Sequence, residues 1–330
     1  MYKIYIVNDS LNDATGFYIQ IIEEAIKASG NDVARVNDPS TISRDDVVVT
    51  VGNKMFYDAR KKHPKAQINW FQGISPEEVK FSKRPFLKKL LYYWGQTFLE
   101  WYAIKHATLS IMVSETMLSH YKKKYGFNSA SFIMPCFNAS LNREAFKGKF
   151  NKPTFVYAGN LAGWQCFEET VNLFSKIKAK VPDATLTVYT QDKDEASEIL
   201  KKYGIEPDLR YVPYQQLSKE LQNYKYGFLI RKDYSVNNVA TPTKMNSYLA
   251  NAIIPIYSTV IGAFKDNLSN LHYAVPVEST DKCVEKIVEL ERECINPNDV
   301  LADYKPIFER YYSRDHYINK LSKLLETMQL

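Results

Sequence analysis

The chain has 330 residues, 45% of them hydrophobic and 24% charged, a balance that suits a folded protein and a length that suits two domains better than one core. Its formal charge of +6 favours anionic partners such as phosphates or acidic lipids and is too small for this length to indicate nucleic acid. Cys136, Cys166, Cys283 and Cys294 form no CxxC pair and no disulfide framework, no run reaches the ~18 apolar residues of a membrane span, and "MYKIYIVNDS" reads as a strand rather than a leader, so a cytoplasmic home is expected.

In chain order, "KIYIVN" is the first predicted strand. The stretch after it, "NDSLNDATGFY", has Gly16 near a helix start but no GxGxxG, which counts against a dinucleotide dehydrogenase. Asp9 and Asp13 stand there as candidates for a general base or sugar-positioning group. "GFYIQIIEEAIKASG" sets Ile19, Ile22 and Ile26 on one helical face and ends at Gly30 or Asn31. "DVVVTVG" and "QINWFQG" follow as strands. Glu77 and Glu78 in "ISPEE" are either a general base and sugar-positioning pair, or carboxylates favoured by the helix start behind Pro76. Residues 80 to 106, "KFSKRPFLKKLLYYWGQTFLEWYAIKH", combine Lys80, Lys83, Arg84, Lys88 and Lys89 with an aromatic and apolar face. That suits peripheral contact with an anionic membrane; a core helix with a solvated basic end is the plainer reading.

"LSIMVS" and "SFIMP" close the first set of strands, and the basic, turn-forming "FKGKFNKP" at 146 to 153 predicts a linker. "TFVYAG", "TLTVYT", "LRYVP", "YGFLIR", "IIPIYS" and "YAVPV" then alternate with helical stretches. The expectation is α/β: two Rossmann-like, doubly wound domains, 1–148 and 149–310, facing a central cleft, with a helix at 311–330 packing across their junction. In "FVYAGNLAGWQCFEETVNLF", Gly159 and Gly163 would let backbone approach a ligand and Trp164 could stack on a ring, although a turn needs no ligand. In "TPTKMNSYLANAIIP", Thr241 reads as an N-cap and Pro242 as the first helical residue. Free amides there, with Lys244 and Arg231, would hold a phosphate or diphosphate; an ordinary capped surface helix explains the same pattern.

Taken in order, "GNLAGWQ", "PDATLTVYT", "VPYQQLSKELQNYKYGFLI" and "PTKMNSYLANAIIPIYS" resemble the second half of the GT-B glycosyltransferases of the retaining family-four type, across about 110 residues. The loop before the PTK is similar to that of bacterial surface-polysaccharide transferases. "LSIMVSETMLSHYKKKYG" with "SFIMPCFN", and "INWFQGISPEE", resemble the first half more loosely.

The resemblance implies an acceptor-side first domain and a donor-binding second domain. It implies transfer, with retention, of a sugar from a nucleotide-sugar to a surface-polysaccharide or lipid-linked glycan at the inner face of a membrane. No cofactor is expected, and no metal. Arg231 and Lys244 would grip the diphosphate, with Glu77 or Glu78 assisting catalysis. Gly16, Gly159, Asn160, Trp164, Gln165, Asn238, Thr241, Thr243, Asn246, Ser247 and Tyr248 would form the donor site. Three departures stand out. The family's paired glutamates fall at Val239 and Ser247, its diphosphate lysine at Gln165, and its helix-ending glycine at Ala252, where Asn251 could adopt the left-handed cap instead. The expected outcome is a transferase with an altered donor site; the alternative is a non-catalytic nucleotide-sugar or glycan-binding protein of the same fold. An epimerase or hydrolase would need an acid and a base for which no clear candidates stand out.

Overall fold

Val47–Val51 and Ala66–Phe71 are buried at every position, which is why they read as unbroken apolar runs rather than as alternating ones. They lie at the centre of the first of two all-parallel sheets. The computed structural model describes residues 1–7, 13–147 and 149–330, the side chains of Asp13, Ala14 and Tyr214 excepted. Asp9 and the Asp13 side chain therefore lie outside the described residues.

The first sheet is built from β1 (Tyr2–Tyr5), β2 (Val33–Val36), β3 (Val47–Val51), β4 (Ala66–Phe71), β5 (Leu109–Met112) and β6 (Ala130–Ile133), in the order β2-β1-β3-β4-β5-β6. Its helices are α1 (Asp13–Ala28), α2 (Asn53–Arg60), α3 (Ser75–Val79), α4 (Phe86–His106) and α5 (Glu115–Tyr125). The order reverses between β1 and β3, which makes the carboxyl ends there the expected ligand edge. Tyr18 of α1 stacks on Trp70 of β4, ring centroids 3.8 Å apart, fixing helix to sheet. The sequence reading missed β2. It is a sheet-edge strand with no fully buried residue, and its Arg35 pairs with Glu23 of α1 at 2.6 Å.

The second sheet comprises β7 (Thr154–Ala158), β8 (Thr185–Tyr189), β9 (Asp208–Arg210), β10 (Tyr226–Leu229), β11 (Ile254–Ser258) and β12 (Val275–Val277), in the order β12-β11-β10-β7-β8-β9. Its switch point lies between β10 and β7. The helices that follow in the chain are α6 (Phe167–Lys180), α7 (Lys193–Lys202), α8 (Tyr214–Leu221), α9 (Ser235–Val239), α10 (Thr243–Ala250), α11 (Gly262–Leu268), α12 (Thr280–Arg292), α13 (Pro297–Arg310) and α14 (Arg314–Met328). Gly227 of β10 has no side chain for a steric reason. A Cβ there would come within 2.7 Å of the Tyr248 ring of α10, so glycine lets that helix lie close against the strand.

The chain divides into two compact units, 1–138 with 238–241 and 313–330, and 139–237 with 242–312. The first change-over thus precedes the expected 148/149 boundary. The stretch expected as a linker is packed instead: Phe146 and Phe150 are buried, Phe146 meets Tyr304 edge-on at 6.2 Å, and Lys149 donates to the Asn251 carbonyl. α14 packs on α1 within the first unit, and Arg314 pairs with Glu24.

Candidate functional site

At the switch point of the second sheet, β7 ends at Ala158 and Gly159 while β10 runs out towards Arg231. The Arg231 amide donates to Ser258 Oγ at 2.8 Å, which carries the β10–β11 contact past the last strand residue. Its guanidinium donates to Gln165 Oε1 at 2.6 Å and to the Gln165 carbonyl at 3.1 Å. Lys244, in the first turn of α10, donates to the same Gln165 Oε1 at 2.9 Å and lies 4.5 Å from the centroid of the Tyr157 ring. Two cations, one past a strand end and one in the next long helix, therefore converge on one neutral amide oxygen from a distant part of the chain.

No carboxylate among the described residues pairs with either cation. Arg231 is only 6% exposed, and burial pulls it below its ordinary pKa. Burial, then repulsion from Arg231, push the half-buried Lys244 ammonium well below the usual lysine range. Enclosing two like charges without a counter-ion is unfavourable, and an anion placed between them would relieve it. Gly159 makes room for this arrangement. With φ +154° it has no Cβ, and one built there would lie 2.5 Å from Lys244 Nζ.

A cavity of about 400 Å³ adjoins Gly159 and Asn160 at the carboxyl ends of β7, β8 and β9, a size that takes a small ligand. Gln191 Nε2 donates to the Tyr211 hydroxyl at 3.2 Å on its wall, and Asp192 Oδ2 accepts from the Leu161 amide at 3.1 Å. The sequence reading assigned none of Gln191, Asp192 and Tyr211. The available signal was the position of Gln191 and Asp192 just past "TLTVYT"; Tyr211 falls inside "LRYVP", of which only the first two residues are strand.

The other expected donor residues divide by what they already hold. Asn246 is fully buried, accepting from the Ala139 amide at 2.8 Å and donating to the Ala139 carbonyl at 3.0 Å. Tyr248 donates to the Phe228 carbonyl at 3.2 Å beneath its ring contact with Gly227. Both are framework. Thr241 is not the N-cap. Pro242 holds that position without a side-chain cap, and Thr241 Oγ1 accepts from the Cys136 amide at 2.9 Å in the first unit, where Asn238 also belongs. Asn251 does not take the left-handed cap either; Ala252 does, at φ +56°, while Asn251 stays at φ −104°. Ser247 and Thr243 are half-buried on α10. Asn160 Oδ1 accepts from the Ala162 amide at 3.2 Å and shapes the loop that carries half-buried Trp164.

In the first unit, Gly16 lies on α1, and a second cavity, of about 420 Å³, opens at the carboxyl ends of β3 and β4 between Thr15, Asn53, Gly73 and Glu78. The adjacent glutamates part company here. Glu78 lines the cavity, and burial, then the charge of Glu77, raise its pKa above the usual carboxylate range. Glu77 instead accepts from Lys124 at 2.8 Å, and Lys124 also reaches the fully buried Glu100 at 2.9 Å. Glu77 therefore ties α3 to α5.

No protein-family model matches the chain, and no curated protein matches it. Solved structures do. Sucrose-phosphate synthase from Thermosynechococcus elongatus superposes with a TM-score of 0.71 at 10% identity, over 99% of this chain and 98% of that one. HepE of Anabaena, solved with UDP, gives 0.67 at 9% identity over 99% of each chain. TarM of S. aureus, solved with fondaparinux, α-GlcNAc-glycerol and UDP, gives 0.66 at 12% identity over 86% of this chain but 55% of TarM, so the chain spans about half of TarM's length. At such identities the likeness establishes architecture: the chain has the GT-B fold, with its two parallel six-stranded sheets.

Proposed function

We propose that the protein is a glycosyltransferase that takes a sugar from a nucleotide-sugar donor and passes it to a glycan acceptor. The observation that carries this reading is the convergence of Arg231 and Lys244 on Gln165 Oε1 at the switch point of the second sheet. A donor diphosphate would take the place of that amide oxygen and meet two fixed cations, and the adjoining cavity would receive its base. As the anomeric carbon–oxygen bond breaks, negative charge grows on the leaving diphosphate and the cations stabilise it. The acceptor oxygen bonds to the anomeric carbon, and its proton departs with the diphosphate. Preorganised charge of this kind is worth most where water is excluded. Retention and independence of a metal are part of the proposal and are supported by the sequence resemblance.

The ribose end of the site is rewritten. Val239 is buried and its carbonyl accepts from Ser114, so that position holds backbone structure. Ser247 keeps a hydroxyl that can bond to a sugar or ribose oxygen. Loss of a ribose grip removes binding that ground state and transition state share, and raises KM more than it lowers kcat. UDP is bound in the HepE and TarM structures, which makes uridine donors the first to try. For the acceptor we propose a surface-polysaccharide or lipid-linked glycan met by the first unit at the inner face of a membrane, a choice supported by the outer face of α4.

The test is release of nucleotide from a panel of UDP-, GDP- and dTDP-sugars, with and without glycan acceptors. Acceptor-dependent release that Lys244→Ala abolishes supports transfer. Binding with no release under any acceptor would make the chain a binding protein of the same fold.

A further inference from the structure

Helix α4 presents an apolar face to solvent. Among the described residues, most large hydrophobic side chains that are exposed belong to it; Phe86 is 77%, Leu91 75% and Trp94 62% exposed. At 100° per residue, Phe86, Leu87, Leu91, Trp94, Phe98 and Trp101 fall within a sector of about 140°, a single stripe some 22 Å long. Lys88 and Lys89 fall about 60° outside its two edges. Lys80, Lys83 and Arg84 stand just before the helix, and Arg84 stacks 3.9 Å above the Tyr92 ring. Between Glu78 and Glu100 the sequence contains no acidic residue.

The helix is held through its C-terminal half. Glu100 is fully buried and accepts from Tyr121 at 3.1 Å, Lys124 at 2.9 Å and Tyr125 at 2.8 Å, all on α5. Tyr102 meets Phe56 and Tyr57 of α2 edge-on. The stripe is therefore a fixed feature of the fold. An exposed patch of this extent in water marks an interaction site.

We propose that α4 lies in the surface of an anionic lipid bilayer, its stripe among the acyl chains and its flanking cations at the headgroups. No helix among the described residues is long and apolar enough to cross a membrane, so the contact is lateral. Charge selects this occupant. The cations that flank the stripe, Lys80, Arg84, Lys88 and Lys89 among them, complement acidic lipid headgroups, whereas a two-fold contact with a second copy would set the same cations against one another. The lysine stems can bury their methylenes while the ammonium groups stay in the headgroup layer. This deepens the proposed function, on which its biological sense rests, by placing the acceptor-side unit where lipid-linked glycans are found.

The experiment is vesicle flotation of the full chain with phosphatidylcholine alone and with phosphatidylcholine plus phosphatidylglycerol, alongside light scattering without vesicles. The wild type should float with the anionic vesicles, at least about tenfold better than with the neutral ones, and less well at high salt. Leu87→Glu/Leu91→Glu and Lys80→Gln/Lys83→Gln/Lys88→Gln/Lys89→Gln should each weaken binding about tenfold or more. These side chains lie at the surface, so unchanged thermal unfolding checks the fold. Tryptophan emission should shift to the blue on anionic vesicles, and Trp94→Phe should remove much of that shift. Equal flotation of wild type and variants, or indifference to phosphatidylglycerol, would overturn the proposal. So would self-association without vesicles that Leu87→Glu/Leu91→Glu abolishes. Nucleotide-induced stabilisation measured on the same samples separates the two readings: if it persists without vesicle binding, only the membrane proposal fails.

Discussion

The two sheets are built alike and differ at their carboxyl ends. The second offers Arg231 and Lys244, cations without a counter-ion among the described residues. The first offers Glu78, an acid whose burial favours its neutral form. One edge suits a diphosphate, while the other suits a neutral, hydroxyl-bearing ligand. The same parallel scaffold thus presents two different charge settings, and the difference lies in a few side chains just past the strand ends.

The sharpest way to break the comparison is to remove the cations. Lys244→Ala and Arg231→Ala should each weaken nucleoside diphosphate binding by about 10- to 100-fold, the worth of a charge-assisted hydrogen bond, as read by calorimetry. Glu78→Gln should leave that affinity unchanged. Gly159→Ala should come next. Its new Cβ would displace Lys244 Nζ, lowering affinity about tenfold and stability by about 1 kcal/mol.

Gln165→Glu sharpens the contrast by supplying the second sheet with its own anion. The unliganded variant should melt higher than the wild type, and it should bind nucleotide more weakly because the carboxylate competes for both cations. A lower melting temperature together with unchanged affinity would show that the cations do not await an anion.

The smallest effects concern pH. Lys244 has a lowered folded pKa, so between that value and the ordinary lysine range the unfolded chain binds more protons and stability rises with pH. Nucleotide affinity should fall over the same rise as the ammonium deprotonates. Glu78 has a raised folded pKa, so the stability it contributes is fully present below the ordinary carboxylate pKa and is lost as pH rises through the folded value. Glu78→Gln should therefore stabilise the protein at neutral pH, by less than about 1 kcal/mol, and not in acid. Denaturant unfolding at both pH values checks it.

Much of this was legible in the sequence, for identifiable reasons. Buried parallel strands such as β3 and β4 are continuous apolar runs, and they stand out. Edge strand β2 has too little buried surface to do so. Arg231 and Lys244 could be named because a strand end and a helix start mark them. Gln165, 66 and 79 residues away from them, could be set at the same site only through the family resemblance, and that its side-chain oxygen accepts from both cations is visible only in the fold. The adjacent glutamates also illustrate the limit. Side chains about 100° apart on one helical turn face different neighbours, and only the fold decides that Glu77 meets Lys124 while Glu78 lines a cavity. Likewise Asn246 and Tyr248 flank Ser247 in sequence but face the framework. The left-handed position fell to Ala252 because the Asn251 side chain is engaged, donating to the Ser247 carbonyl at 2.9 Å and accepting from Ser218 at 3.0 Å.

The central claim is that Arg231 and Lys244 await a diphosphate, and its most direct test is calorimetric titration of UDP, GDP and dTDP into the wild type and Lys244→Ala. At least one nucleoside diphosphate should bind the wild type and lose about 10- to 100-fold in affinity in the variant. Absence of binding by all three, or equal affinity in both proteins, would contradict it.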